Sequence, residues 1–369
     1  MTESRSSSHE VLVVCPPGLE ALVVGELTEL GVKHTRSEKG GVTCSLTTRQ
    51  LYAANRSLRC ATRILVRIAR FTVRSFADLE RRVNEIEWDD YLPAGVQARF
   101  RVTTRRSKLW HDKAVEERFM RGFKLVSPHA SEQLFVVRGS HDRFTVSVDS
   151  SGAPLHERGW RQALAKAPLR ESVAAGLLMA SDWDPTTPFI DPFCGSGTLA
   201  IEAALRASGQ LPGGQRTFAF QEWPDFQPGT WASVTAAQSP PNLSVPAMVA
   251  TDRDAGAIEA AQANAERAGV ADLIDFRVAP IADLQTPEGG PGHLVTNPPW
   301  GGRVSAERDL RNLYATLGNV GKKQLNGWGL GVLLADRELA RQVRPGLSET
   351  LSLELGGQHA WFMTGKFAD

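Results

Sequence analysis

The chain has no run of eighteen apolar residues, so no segment reads as a membrane span. Its start, Met1 to Glu10, lacks the apolar core of a secretion signal and, polar and serine-rich, reads as a disordered tail. Cysteine is scarce. The four residues Cys15, Cys44, Cys60 and Cys194 show no paired metal spacing and fit reduced thiols of a cytoplasmic protein. None of the eight histidines lies four residues from another, so no metal site is expected. What remains is 369 residues with 42% hydrophobic content, enough for two or three packed domains.

Net charge is also scarce, at +1, but it hides an asymmetry. Residues 1 to 166 carry 27 Lys and Arg against 19 Asp and Glu, a surplus of +8, whereas residues 167 to 369 carry 15 against 22, a deficit of −7. The surplus concentrates in Arg99, Arg101, Arg105, Arg106, Lys108, Lys113, Arg118, Arg121 and Lys124, opposed by Asp112, Glu116 and Glu117. Interleaved with Phe100, Trp110 and Phe119, it reads as a nucleic-acid footprint, where charge supplies affinity and flat side chains stack on bases. The alternative is a solvated face with ordinary ion pairs.

Hydrophobic spacing divides the chain into at least three units. Strands are expected at 11–14, 41–46 and 64–71, with helices at 17–30 and 48–55. A helix at 76–84, a strand at 98–104, a helix at 112–124 and a hairpin of 133–139 with 143–149 follow. From a helix at 169–180 onward, strands and helices alternate as a mostly parallel sheet requires. Residues 210–246 read as an irregular insertion, and Gly321 to Gly331 as the loop before a late strand. A hairpin of 351–355 and 360–363 closes the sheet antiparallel.

Three motifs in this last unit carry chemistry. Asp191-Pro192-Phe193-Cys194-Gly195-Ser196-Gly197-Thr198 is a glycine-rich turn between a strand and a helix. It lacks the lysine of a P-loop and the third glycine of a dinucleotide fingerprint. Free N–H groups opening the helix suit a carboxylate and Asp191 suits an ammonium, and S-adenosylmethionine carries both. Asp252, after Val249-Ala250-Thr251, offers two acceptors for ribose hydroxyls, or else caps the next helix. Asn297-Pro298-Pro299-Trp300 follows the buried strand 292–296. Its prolines remove two N–H donors, Asn297 offers an amide and Trp300 a flat face. An acceptor pair beside an aromatic plate suits a planar exocyclic amine such as that of a nucleobase; a simple proline turn is the other reading. All three motifs fall at successive strand ends, where doubly wound sheets bind ligands.

With these residues in view, the chain resembles the THUMP-domain RNA guanine-N2 methyltransferases over nearly its whole length. Pro17-Gly18-Leu19-Glu20, Gly40-Gly41-Val42, 58–63 and Ile86-Glu87-Trp88 are similar to their N-terminal modules. Leu155 to Arg161 and Ala167 to Ser172 resemble their connector, Asp191 to Thr198 their methyl-donor motif and Asn297 to Trp300 their catalytic motif. The bacterial enzymes acting on 23S ribosomal RNA look most similar, and a tRNA-modifying branch shares the architecture. The resemblance implies an α/β chain whose C-terminal Rossmann-like, doubly wound sheet ends in an antiparallel hairpin, preceded by α+β ferredoxin-like and THUMP modules. The implied divisions are a tail at 1–9, a ferredoxin-like part at 10–71, an RNA-binding THUMP module at 72–152, a connector at 153–180 and the methyltransferase at 181–369.

The same resemblance makes Asn297, Pro298, Pro299 and Trp300 catalytic. It gives the donor to Asp191, Cys194, Gly195, Ser196, Gly197, Thr198, Asp252, Arg253, Asp283 and Asn297, while the basic surplus gives RNA to Arg101, Arg105, Arg106, Lys108 and Lys113, with Arg161 beside them. Two departures stand out. Trp300 occupies a place where the family usually has tyrosine or phenylalanine. Pro280 stands where an Asp usually meets the adenine amine, which moves that contact to Asp283. The expected protein is a cytoplasmic monomer without metal or membrane, using S-adenosylmethionine on structured RNA, ribosomal or transfer. A non-catalytic RNA-binding assembly factor and an adenine-N6 DNA methylase are the rivals.

Overall fold

The computed structural model describes residues 8–123, 131–162, 169–237, 241–242, 244–301, 307–344 and 346–367. The expected tail up to Ser7, Lys124 and the Ala167-Pro168 pair lie outside the described residues.

The first half runs β1 (Ser8–Val14), α1 (Glu20–Glu29), β2 (Thr35–Glu38), β3 (Gly41–Thr47), α2 (Thr48–Ser57), β4 (Arg63–Thr72), α3 (Phe76–Asn84), β5 (Gln97–Arg105), α4 (Asp112–Met120), β6 (Glu132–Ser140) and β7 (Arg143–Asp149). Local chemistry sets the ends. A reciprocal capping box, with Gln50 N–H 3.3 Å from Thr47 Oγ1 and Thr47 N–H 3.0 Å from Gln50 Oε1, starts α2. In β5, Ala98, Phe100 and Val102 point inward and Arg99, Arg101 and Arg105 stay exposed, the period-two pattern of a half-buried strand. The strands form one sheet of order β2-β3-β1-β4-β7-β6-β5, antiparallel except where β5 meets β6. This sheet crosses the expected division at 71/72 unbroken, because β4 pairs with β1 on one side and β7 on the other. Ser8 and His9, expected in the tail, already belong to β1.

The second half contains α5 (Glu171–Ala180), β8 (Phe189–Asp191), α6 (Thr198–Ala207), α7 (Pro228–Ala236), β9 (Met248–Asp252), α8 (Ala255–Ala268), β10 (Asp275–Val278), β11 (His293–Thr296), α9 (Glu307–Gln324), β12 (Gly329–Leu334), α10 (Glu338–Val343), β13 (Ser348–Leu355) and β14 (Gln358–Lys366). Its sheet runs β10-β9-β8-β11-β12-β14-β13, parallel until β14 and β13 turn antiparallel. Strand order therefore reverses between β8 and β11, the switch point where such sheets bind ligands. Gly321 to Gly331, expected as a loop, is mostly not one: α9 continues through Gly321 to Gln324. Gly321 marks tight packing, because a Cβ there would lie 2.1 Å from the Phe367 ring.

The halves share one hydrophobic core, from Val11 and Leu19 through Phe100 and Leu177 to Phe189, Ala200 and Phe362. The 210–246 insertion makes an aromatic clasp across the join. Tyr52 stacks on Phe220 at 4.3 Å, Tyr91 meets Trp223 edge-on at 5.2 Å, and Trp223 Nε1 donates to Gln133 Oε1 at 2.9 Å. Buried Arg158 of the connector donates to the Arg59 carbonyl (2.6 Å) and pairs with Glu202 of α6 (3.3 Å). At the far end the backbone before α1 lies on β13, where a Cβ on Gly18 would be 2.2 Å from the Ser352 carbonyl oxygen. Lys39 pairs there with Glu354 at 3.1 Å.

Candidate active site

The three motifs converge at the carboxyl ends of β9, β8 and β11, which are adjacent in the sheet. Asp191 ends β8 and is 1% exposed. Its Oδ1 accepts from the Thr296 hydroxyl at 2.7 Å and the Phe193 N–H at 3.3 Å. Burial pushes the Asp191 carboxyl up to about 7; the charge of Asp252 adds to this, while the two hydrogen bonds oppose it. Such a carboxyl is poised to lose its proton when a cation arrives.

Gly195 and Gly197 have φ of +53° and +83°, values a residue with a side chain would adopt only under strain. A Cβ on Gly197 would also sit 3.0 Å from that of Ala261, so α6 and α8 close tightly behind the turn. The Gly195 N–H donates to Asp252 Oδ2 (3.0 Å), and Asp254 N–H donates to Asp252 Oδ1 (3.0 Å). Asp252 thus braces the turn as well as ending its strand, and each carboxylate oxygen keeps lone pairs for a further donor. Cys194 is buried, its N–H on the Thr251 carbonyl (3.0 Å), and burial pushes its thiol well above the ordinary range.

Behind the turn lies a brace that sequence reasoning missed. The Asn264 side chain, fully buried on α8, donates to the Ser196 carbonyl at 3.1 Å and accepts from the Gln162 N–H at 3.3 Å. Arg267 donates to the Trp160 carbonyl at 2.9 Å. The signal was a lone asparagine at the apolar spacing of α8, since a polar residue on a buried face needs partners. Arg161, expected on the RNA surface, belongs here instead. Its side chain is 11% exposed, pairs with Glu171 at 3.2 Å and donates to Thr198 Oγ1 at 3.0 Å. It bridges the connector to the first turn of α6.

On the other side, Asn297 follows β11 half-buried, with Oδ1 shut off from solvent and lacking a partner among the described residues. Trp300 Nε1 and Thr251 Oγ1 are in the same condition. Buried polar atoms normally find partners, so orphans at the carboxyl end of β9 and just after β11 are open to a ligand's polar groups. Pro298 is buried; Pro299 is exposed, but its carbonyl accepts from the hydroxyl of buried Tyr314 at 3.1 Å. Tyr314 therefore holds the tetrapeptide from behind. Arg253 and Asp283 are exposed; Asp283 ends a short 3-10 turn after β10. That turn is tied to the site through Ala279 N–H on the Asp252 carbonyl (2.9 Å).

The basic surface lies on the first sheet. Arg101, Arg105, Arg106, Lys108 and Lys113 are exposed and make no ion pair among the described residues. Arg99 pairs with Glu132, and Arg118 and Arg121 with Glu80. Phe100 and Phe119, expected to stack on bases, are core residues 4% and 0% exposed; only Trp110 of that trio is outside, at 72%. No helix among the described residues is long and apolar enough to cross a membrane, and none of their His, Cys, Asp and Glu side chains cluster as metal ligands would.

The family model described as RMKL-like, methyltransferase domain, matches residues 158–350, and the model of the RlmL ferredoxin-like domain matches residues 10–65. A candidate RNA methyltransferase of Synechocystis sp. is 32% identical over 356 residues, with 92% of both chains covered. The ribosomal RNA large subunit methyltransferase K/L of Marinobacter nauticus is 32% identical over 362 residues, covering 91% of this chain and 50% of that protein. The chain thus spans about half the length of the K/L relatives it matches. The crystal structure of SMU.472, a candidate methyltransferase complexed with SAH, superposes with a TM-score of 0.87 at 26% identity, covering 98% of each chain.

Proposed function

Because the chain belongs to the RMKL-like methyltransferase family, we propose that it uses S-adenosylmethionine to methylate the N2 amine of a guanosine in structured RNA, 23S ribosomal RNA first among candidates. The observation that carries this reading is Asn297 Oδ1, buried and unpartnered at the switch point beside Trp300 and the donor turn. It is the acceptor that an exocyclic amine needs, kept from water until the amine arrives.

The donor, when bound, supplies an electrophilic methyl group on a sulfonium. The chain's own residues do the rest. Asp191 and the N–H groups that open α6 from Thr198 onward suit the ammonium and carboxylate of its methionine part, and Asp252 suits its ribose. The guanine amine is a poor nucleophile because its lone pair is shared with the ring. As it attacks, positive charge grows on nitrogen, and Asn297 Oδ1 with the Pro298 carbonyl stabilises that charge through fixed dipoles. The nitrogen keeps its new methyl and gives up a proton to water, so no strong base is needed. Trp300 stacks on a base taken out of its helix. Tyr314, holding the Pro299 carbonyl, keeps these acceptors in place before substrate binds. The exposed cations of the first sheet grip the RNA backbone.

The test is nucleoside mass spectrometry of ribosomal and transfer RNA from cells with and without the gene, repeated with purified enzyme and donor. Loss of N2-methylguanosine from 23S RNA is expected. Loss from tRNA alone moves the substrate to the other branch. Methylated adenine, or no change in either pool, overturns the reading.

A further inference from the structure

In the first sheet, the β5–α4 loop and the β6–β7 turn meet to form one tip. Trp110 stands there 72% exposed; among the described residues only Val278, at 56%, is a comparably bare large apolar side chain. A single exposed aromatic is unremarkable by itself. This one is mounted. The Thr104 hydroxyl donates to the Trp110 carbonyl at 2.7 Å, and Thr104 N–H donates to Asp112 Oδ1 at 2.8 Å, fixing both sides of the indole's backbone. Asp142 of the neighbouring turn accepts from the Lys108 N–H at 2.7 Å and from Arg74 Nε at 3.0 Å, and its own N–H donates to Ser107 Oγ at 3.1 Å.

The tip's backbone is tightly turned. Four described residues other than glycine have positive φ, and three of them are here: Arg106 at +49°, His141 at +50° and Asp142 at +64°. At His141 and Asp142 this is the ordinary geometry of the two-residue hairpin that joins β6 to β7, which leaves Arg106 as the one outside such a turn. Around the indole, Arg105, Arg106, Lys108 and Lys113 are exposed and have no carboxylate partner among the described residues. The tip therefore holds an exposed indole on a fixed backbone, with four exposed cations close in sequence that make no ion pair among the described residues.

We propose that this tip is a stacking site for an unpaired nucleotide of the RNA, with the indole of Trp110 on the base and Arg105, Arg106, Lys108 and Lys113 on the flanking phosphates. The choice of RNA as the polymer rests on the proposed function; the choice of an unpaired base rests on the tip. In an A-form duplex the base faces are stacked and the major groove is too deep and narrow for a side chain to enter. An indole gains from a base only where one is splayed out or terminal, and stacking of that kind tolerates any base. The chain would thus have two places for extruded bases: a target pocket at Trp300 and a non-reacting anchor at Trp110.

The experiment uses the full chain and fluorescence anisotropy with a short labelled adenosine oligomer, a blunt RNA duplex of equal length, and several salt concentrations. Trp110→Ala should weaken the single strand about tenfold or more and leave the duplex nearly unchanged, with the same salt slope. Trp110→Phe should restore most of the loss. Lys108→Ala and Arg105→Ala should weaken both RNAs and lower the single-strand salt slope by roughly 0.7 each. Being exposed, Trp110 can be replaced without unfolding, which a melting curve checks. Equal losses on single strand and duplex, an unchanged affinity in Trp110→Ala, or no rescue by phenylalanine overturn the proposal. The methylated base is read from separate turnover reactions by mass spectrometry. An adenine product would sink the proposed function and leave the anchor standing.

Discussion

Asp191 gives the sharpest quantitative test of the donor site. In the ligand-free protein its carboxyl is pushed from an ordinary 3.8 to about 7, chiefly by burial. At pH 5 it is then ionised in about one molecule in a hundred, and at pH 7 in about half. A donor ammonium needs the carboxylate, so binding at low pH must first expel a proton. The sign follows from linkage: binding lowers the Asp191 pKa, affinity rises with pH up to the free-state value and is lost as pH falls below it. From pH 5 to pH 7 the affinity for S-adenosylmethionine should rise about fiftyfold and then level off. Above roughly pH 7.7 the ligand's own α-amino group begins to lose its charge, which closes the window. Isothermal titration at pH 6 in two buffers of different ionisation enthalpy should show release of close to one proton. Asp191→Asn should bind more weakly at pH 7 and show a flat profile. A flat profile in the wild type, with no proton released at pH 6, would refute the pairing of Asp191 with the ammonium.

Other sites give shorter tests. Asn297→Ala should leave donor and RNA affinity nearly intact yet slow single-turnover transfer by about a hundredfold or more. A rate near wild type per folded molecule would leave Asn297 as a mere turn residue; Asn297→Asp shows what an added charge near the sulfonium does. Asp252→Ala should weaken donor binding by roughly tenfold or more, since it removes the brace on Gly195 and, on the proposed reading, a ribose partner; titration calorimetry decides. Asn264→Ala leaves the Ser196 carbonyl and Gln162 N–H unpaired, so it should cost about 1–3 kcal/mol of stability and also weaken the donor. A lower melting temperature with an unchanged donor Kd would confine Asn264 to a structural role. Gly18→Ala should destabilise by about 2 kcal/mol or more, because its φ of +101° and the Ser352 carbonyl leave no room for a methyl group. An unchanged melting curve would show that the contact yields.

Much of this was legible because local patterns and motif order survive without knowledge of contacts. β5, β7, α3 and the closing hairpin follow from period and turn residues, and the three motifs fall on strand ends because α/β chains alternate. The misses have physical causes. β2, Thr35-Arg36-Ser37-Glu38, is an exposed polar edge strand, with no apolar alternation to betray it. α9 was obscured by Gly318 and Gly321, glycines kept for close packing. Phe100 and Phe119 look like Trp110 in sequence; which aromatic faces water is decided by the sheet behind them. The bond from Gly195 N–H to Asp252, and Arg161 reaching Thr198, join residues that only tertiary structure brings together.

The contact between Gly18 and Ser352 joins residues more than 300 positions apart. A ribosome adding roughly 5–20 residues per second would expose Gly18 about 20 to 70 seconds before Ser352 and its hairpin emerged. During that interval the backbone ahead of α1 has no β13 to rest on, and the aromatic clasp on Tyr52 closes only once the insertion is out. The amino-terminal half is therefore synthesised as an unfinished surface, with apolar ground that a chaperone would recognise. Ribosomes stalled just before β13 should carry nascent chains that are cleaved by protease near Pro17 and protected there once the last hairpin is released.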